Sequence, residues 1–505
     1  MKKKVVVVGG GIAGMSASIR LAVAGYDVTI MEKGERLGGK LNVRGGMGYS
    51  FDTGPSILTM PWTLEKLFAS AGKNLHDYVT ITRVEPGWRT FFEDGTKLDL
   101  HADLVEMMEE IERVAPKDKN AYLDYLSYAN KMYELNKKSF YHQSISGLPD
   151  LRQLHSLREL LQMDPLKSMD QATRKYFKSK YLQQLMNFLI MYIGSSPYNA
   201  PAVLSQLAHV QVGVGVHYVQ GGMYKIAEAM KSLLEELQVK VVLDTKVEQI
   251  NVNGNRTTGV TINGGEVVPA DLVVSNLEAI PAHQTLLTDY PKQQQALSEL
   301  QDFQPTVSGL VLLLGVNREY PELKHHNFFF AKDQKKEFVQ MFDQGKITDD
   351  PTVYVGISSK SDSTQAPDGK ENLFVLTHVP PLKDGEDWNV YKDSYRELVL
   401  NKLERMGVTG LRQHIEWEYQ FTPNDIQQLY GSNGGSIYGA VTDRKLNGGF
   451  KVPNRSAHVE NLYFVGGSTH PGGGVPMVCL SGQLTADLIL KDQGKSGKMD
   501  DRQIG

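Results

Sequence analysis

The sequence predicts an α/β protein in which a parallel-sheet domain is split by a large α+β insertion. Three observations carry this reading. A β-branched run leads into a glycine turn near the N-terminus, the middle of the chain is helical and charge-rich, and a strand, glycine turn and helix recur towards the C-terminus. At 505 residues the chain is too long for one core, and roughly 150 residues per domain suggests two or three packed units.

The first unit is written in KVVVVGGGIAGMSASIRLAVAGYDVTIMEK, from Lys4 to Lys33. Val5 to Val8 is the short β-branched run of a buried parallel strand. Gly9, Gly11 and Gly14 then fit G-x-G-x-x-G, whose glycines permit a sharp turn, the approach of a pyrophosphate, and close packing of helix on strand. Ile19, Leu21, Ala22 and Ala24 supply the apolar positions of the helix and Gly25 closes it. Asp27 to Met31 forms the second strand. It ends at Glu32, where an acid about 20 residues beyond the glycines is expected to accept hydrogen bonds from ribose hydroxyls. A carboxylate there disfavours a 2'-phosphate and argues against NADP.

Residues 34–61, GERLGGKLNVRGGMGYSFDTGPSILTMP, make a long glycine-rich excursion in place of the next βα unit. That suits a backbone lying along a cofactor longer than NAD. From about Leu67 to His209 the pattern is helical. The Leu-, Met- and aromatic-rich run in KSKYLQQLMNFLIMYIGSSPYNAPAVLSQLAHVQ reads as a buried helix, whose side chains would also wall a tunnel for a long apolar ligand. Strand and helix patterns separated by Gly and Asn turns then lead to ADLVVSN at 270–276, a buried strand. Mixed elements, including SGLVLLLGV and TVYVGISS, follow, and ENLYFVGGSTHPGGGVPMVCLSG closes the sheet domain. The expected division is 1–70, 215–285 and 455–495 for the dinucleotide-binding domain, 71–214 and 286–454 for the substrate domain, and 496–505 for a polar tail.

Composition removes several classes. A net charge of -4 offers no basic field for nucleic acid. The single cysteine, Cys479, excludes an internal disulfide, fits a cytosolic setting, and is expected in packing rather than in chemistry. No run approaches the roughly 18 to 20 apolar residues of a spanning helix. No Ser-His-Asp spacing stands out. His325 and His326 lack the spacing of a metal site and are expected at the surface or in packing, so no metal is expected.

GGGIAG, Glu32, LGGK, FDTGPS, ADLVVSN and YFVGGSTHPGGGVPMV together resemble the bacterial phytoene-desaturase-type carotenoid oxidoreductases over nearly the whole chain. The resemblance implies a Rossmann-type FAD-binding domain of the amine-oxidase-like flavoprotein superfamily, with an inserted α+β substrate domain. Within the family the chain looks most like the C30 branch, which holds both dehydrosqualene desaturases and diaponeurosporene or diapolycopene oxygenases. FDTGPSILTMP, GSSPYNAPAVLS, HHNFFF, SNGGSIYGAV and GGGVPMV look closer to the oxygenases.

Carried onto this chain, the resemblance implies FAD with its pyrophosphate on Gly9, Gly11 and Gly14, its ribose on Glu32 and its adenine beside Val247. Gly54, Pro55 and Ser56 would form one flavin-side wall, and Gly467 to Met477, including Val475, the other. Lys40 stands where relatives often carry arginine; it keeps the charge without the bidentate fork. His470 is the one candidate catalytic side chain, placed to tune a flavin or move a proton. The implied partners are a long apolar carotenoid and molecular oxygen or another electron acceptor, with no nucleic acid. Peripheral contact with the inner face of the cell membrane is expected through the run from Tyr181 to Tyr192. Rival readings are a desaturase, an amine oxidase, and a GDI-like lipid-binding escort; the intact glycines and Glu32 argue against the last.

Overall fold

The computed structural model describes residues 2–495; the expected polar tail at 496–505 lies outside them. Strands β1 (Lys4–Val8), β2 (Asp27–Met31), β3 (Lys240–Val242), β4 (Leu272–Ser275) and β5 (Leu462–Phe464) form a parallel sheet in the order β5-β4-β1-β2-β3. Its strands come from the beginning, middle and end of the chain. Helices α1 (Ile12–Val23) and α2 (Val475–Asp492) cover one face.

Both faces of this sheet are covered, which is why its strands are apolar without alternation. Val5 and Val7 pack with Ile12, Met15 and Ile489 of the two helices. Val6 and Val8 face the other way, against Val247, Ile250 and Val260 of a three-stranded antiparallel sheet spanning Val247–Asn253, Arg256–Ile262 and Glu266–Pro269.

A seven-stranded sheet forms the second layer, in the order Ile415–Phe421, Ser308–Val316, Glu371–Val379, Val353–Ile357, His326–Phe329, Trp88–Phe91 and Lys97–Leu100. Its period-2 alternation splits the strand Ser308–Val316 cleanly. Leu310, Leu312 and Leu314 pack under the helix Lys392–Arg405, on Val399, Leu400 and Leu403. Val311 and Leu313 face the shared interior.

Two expectations are corrected here. The stretch from 81 to 100 is not helical: it holds strands Ile81–Arg83, Trp88–Phe91 and Lys97–Leu100. The last two are joined by a tight turn at Asp94 and Gly95 (φ +82°), an Asp-Gly signal between alternating residues that outweighs the helical composition around it. The run from Tyr181 to Tyr192 does not face a membrane. Helix Lys180–Phe188 and the short turn after it bury Leu182, Leu185, Met186 and Phe188 to Met191.

The pairing of α1 with α2 depends on Gly482. A methyl group there would strike the Ala13 carbonyl and come within 2.7 Å of the Ala17 nitrogen. Ser16 Oγ donates to the Cys479 carbonyl at 2.7 Å across the same seam. Cys479 itself is buried and burial pushes its thiol up to about 12, so it packs here as an un-ionised side chain. Gly482→Ala should push the helices apart and cost about 1–3 kcal/mol, as overpacking does. Thermal melts would show it; a variant melting with the parent would mean that the seam is not tight.

Candidate active site

A cavity of about 660 Å³ lies where the two layers meet. One end is the turn after β1. Gly9 adopts φ +95°, which swings the chain from strand into helix. The turn is held by Asn276, at the end of β4. Asn276 Oδ1 accepts the Gly14 N–H at 2.9 Å, and its Nδ2 donates to the Val465 carbonyl at 3.3 Å. With that amide accounted for, Gly11, Ile12 and Ala13 present the start of α1 to the cavity, with no acidic residue in its first turn. This is the positive, amide-rich end of a helix, the natural seat of a pyrophosphate.

Glu32 closes the same end. Its carboxylate accepts Gly10 N–H at 2.7 Å and Gly34 N–H at 2.8 Å, and it remains on the cavity wall. Its carbonyl takes the Thr245 N–H at 2.9 Å, which brings Val247 to the same rim. Lys33, Lys246 and Glu248 stand nearby, so this end is polar and charged.

Along the middle of the cavity lie Gly54, Pro55 and Ser56 on one side and Gly467 and Val475 on the other. A side chain at Gly54 would collide with the Lys40 carbonyl. Lys40 Nζ donates to the carbonyls of Ser436 (2.8 Å) and Ile437 (3.2 Å), and lies 3.9 Å from Glu278. Away from bulk water, burial lowers the Lys40 pKa and raises that of Glu278. The lysine thus serves the 436–437 loop as well as the cavity. The start of α2, which also lacks an acidic first turn, abuts this region through Gly474 and Val475.

The opposite end is apolar, walled by Trp88, Phe188, Met191, Val311, Phe328 and Phe374. Every Asp, Glu, Lys and Arg along the cavity belongs to the stretches 32–40, 246–248 and 278, none to the elements of this wall. The polar atoms here are uncharged. Tyr192 OH donates to the Ile57 carbonyl at 2.9 Å, and Tyr354 OH sits 2.8 Å from both Ser56 Oγ and His326 Nδ1. Tyr438 lies 3.4 Å from His378 Nε2. Burial pushes Tyr192 up to about 12 and Tyr354 and Tyr438 further, and pushes His378 down to about 4, so all four are neutral near pH 7.

Three expected residues stand elsewhere. Gly14 lies behind the wall, its amide on Asn276, in the helix-packing part of the glycine motif. Met477 does not reach the cavity. Two residues beyond Val475 it is turned about 200° around α2, onto Met60, Tyr133, Tyr141 and Val210; Val478, one turn on from Val475, lines the wall instead. His470 is also outside. It is buried against the Phe140 ring, with Nε2 donating to the Phe140 carbonyl at 3.0 Å and its own N–H to Val452. A catalytic role for it is therefore set aside, because the glycine turn faces its backbone, not its ring, towards the cavity. His325 and His326 are buried, and among the described residues no group of three or more His, Cys, Asp or Glu is placed to hold a metal ion.

The run expected to wall a tunnel does so through Phe188, Met191 and Tyr192; sequence reading missed Tyr354, Tyr438 and His378, which come from three separate segments with no motif linking them. Asn276 carried a signal, as the residue that ends a buried strand in ADLVVSN.

The paired helix starts, the glycine-lined middle and the Glu32 carboxylate on the cavity wall fit FAD, and with the apolar end they define a flavin-dependent oxidoreductase. Residues 12–490 match the family described as flavin containing amine oxidoreductase, and the chain belongs to that family. It is 45% identical over 496 residues to a 4,4'-diapolycopene oxygenase from Methylomonas sp, covering 97% of this chain and 98% of the relative. It is 42% identical over 500 residues to a 4,4'-diaponeurosporene oxygenase from Staphylococcus aureus strain MSSA476, covering 99% and 100%. A crystal structure of an oxidoreductase from Methanosarcina mazei superposes with a TM-score of 0.64 at 16% identity, over 95% of this chain and 99% of that one, a likeness of fold.

Asn276→Ala would leave the Gly14 amide without its partner, a loss of about 1–3 kcal/mol. FAD retention through gel filtration should fall at least several-fold; full retention would show that the turn holds its shape unaided. His470→Gln should keep FAD. His470 has a folded pKa of about 4 against an ordinary 6.5, so the unfolded chain takes up its proton first. Its share of stability, about 3 kcal/mol, is present in full above pH 6.5 and is lost as pH falls towards 4. Urea titrations from pH 7 to 4 should show a shallower loss in the variant.

Proposed function

We propose that the protein is an FAD-dependent carotenoid oxygenase that oxidises terminal methyl groups of C30 carotenoids, 4,4'-diaponeurosporene or 4,4'-diapolycopene, to aldehydes. The observation that carries this is the uncharged aromatic compartment continuous with the FAD cradle. The curated relatives named above support the same substrate class. When bound, FAD supplies the two-electron chemistry. The chain holds it by the helix starts and Glu32, excludes water with aromatic walls, and offers no ion pair that an apolar polyene would have to displace.

The hydroxyls favour oxygenation over desaturation. A desaturated polyene has no oxygen to bind, whereas a methyl converted to an alcohol and then to an aldehyde does. Tyr354 and Tyr438 are neutral hydroxyls standing along the compartment, where they can donate to such an oxygen. An amine oxidase reading fits poorly, since no carboxylate faces this end to receive a cationic amine.

Purified protein with FAD, a two-electron reductant that regenerates reduced flavin, and diaponeurosporene under ¹⁸O₂ should consume oxygen and yield labelled alcohol and then aldehyde by mass spectrometry, the second oxygen atom leaving as water. New backbone double bonds alone would make the protein a desaturase, and turnover of amines alone would return it to the amine oxidases. Tyr354→Phe should lower kcat/KM for the alcohol about tenfold, the loss of about 1.4 kcal/mol, and that for the methyl substrate much less. Equal effects on both would remove the tyrosine from product recognition.

A further inference from the structure

We infer that the face formed by residues 148–166 and the adjoining 443–449 loop is a docking surface for an anionic lipid bilayer. The leucines are unusual for a packed protein. Leu148, Leu157, Leu161 and Leu166 are 57%, 74%, 64% and 89% exposed. In the helix Leu157–Gln162, fixed by a capping box between Ser156 and Glu159, Leu160 turns inward with Met163 onto Met132 and Leu135. Leu157 and Leu161, one turn apart, share the outward face. Arg444 donates to the Leu166 carbonyl at 2.7 Å and to the Asn199 carbonyl at 3.1 Å, which brings the exposed Leu446 and Lys445 to the same side.

With Lys138 and Lys167, which pair with two of its acids, this face carries six cations (Lys138, Arg152, Arg158, Lys167, Arg444 and Lys445) against four acids (Asp150, Glu159, Asp164 and Asp443), a net positive balance. Its acids are engaged: Glu159 with Lys138 and Ser156, Asp164 with Lys167 and Tyr128, Asp150 with the Ser146 amide, and Asp443 with the Lys445 and Leu446 amides. Arg152 and Arg158 are exposed and have no ion-pair partner among the described residues. Separate protruding leucines bordered by free cations suit insertion between acidic headgroups.

The face also lies close to the apolar end of the cavity. Beside Asn199, the Tyr198 ring meets Phe338 at 6.1 Å, and Phe338 meets the cavity-wall residue Phe188 at 6.4 Å. Why a bilayer should be met here rests on the carotenoid reading; the docking itself does not.

The test is flotation of the FAD-loaded full chain with vesicles of phosphatidylcholine alone or mixed with phosphatidylglycerol. Binding should require phosphatidylglycerol. It should fall at least tenfold in the triple variant Leu157→Ser, Leu161→Ser, Leu166→Ser, and become weaker and less salt-sensitive in Arg152→Gln, Arg158→Gln. The triple variant should keep its flavin spectrum and its turnover of detergent-dispersed carotenoid, losing only turnover of carotenoid held in vesicles. Equal flotation of triple variant and parent, or no flotation of the parent, overturns the inference. So does a dimer in sedimentation that the triple variant abolishes, which would make the face a self-association surface. Flotation without any carotenoid turnover would uphold docking and overturn the proposed substrate instead.

Discussion

Four glycines from two distant parts of the chain crowd around the side chain of Asn276. A methyl group would come within 2.8 Å of its oxygen at Gly11 and 3.0 Å at Gly14, within 3.0 Å of its nitrogen at Gly466, and within 3.4 Å of its Cβ at Gly9. One side-chain amide thus clamps the turn after β1 to the end of β5. Every other feature of the cofactor end follows from that clamp: the direction of α1, the seat for a pyrophosphate, and the passage of the 466–474 backbone along the cavity. A half-buried amide that satisfies one backbone donor and one acceptor is cheap to keep and costly to lose.

The cavity is divided by charge. Ionic groups gather where a phosphate-bearing and ribose-bearing molecule needs them, and the far end is left to rings and neutral hydroxyls. The same low-dielectric surroundings that hold the tyrosines and His378 neutral would penalise any unpaired charge carried by a ligand. Selection against charged substrates therefore needs no dedicated gate, because desolvation supplies it.

What could be read from residues alone tracks how local the signal was. The β1, turn, α1 and β2 unit, with Glu32, is a contiguous pattern in which each residue type is dictated by its neighbours. Met477 and His470 sit inside an equally clear motif, but the motif specifies where the backbone goes and leaves side-chain direction to helix phase and to Phe140, which lies far away in the chain. The run from Tyr181 to Tyr192 is rich in Leu, Met and aromatic residues, and that composition is the same for an interior helix and a membrane-facing one. Nothing in its neighbours could distinguish them; the exposed leucines at 148–166, by contrast, are interspersed with Arg152 and Arg158. The tyrosines of the apolar end converge only through tertiary packing.

The strand order β5-β4-β1-β2-β3 has a consequence in time. The parallel sheet draws its central strand from residues 4–8 and an edge strand from residues 462–464, with the insertion between them. Such pairing has long sequence separation and is slow to form. While the chain is being synthesised, Asn276 has no Val465 to bind and the second glycine wall does not yet exist. The seven strands of the second layer run from Trp88 to Phe421, so that layer is complete before residues 466–475 emerge, but capture of the flavin must wait until that stretch has left the ribosome. Cofactor loading then becomes a late checkpoint, passed only by chains that have closed the parallel sheet.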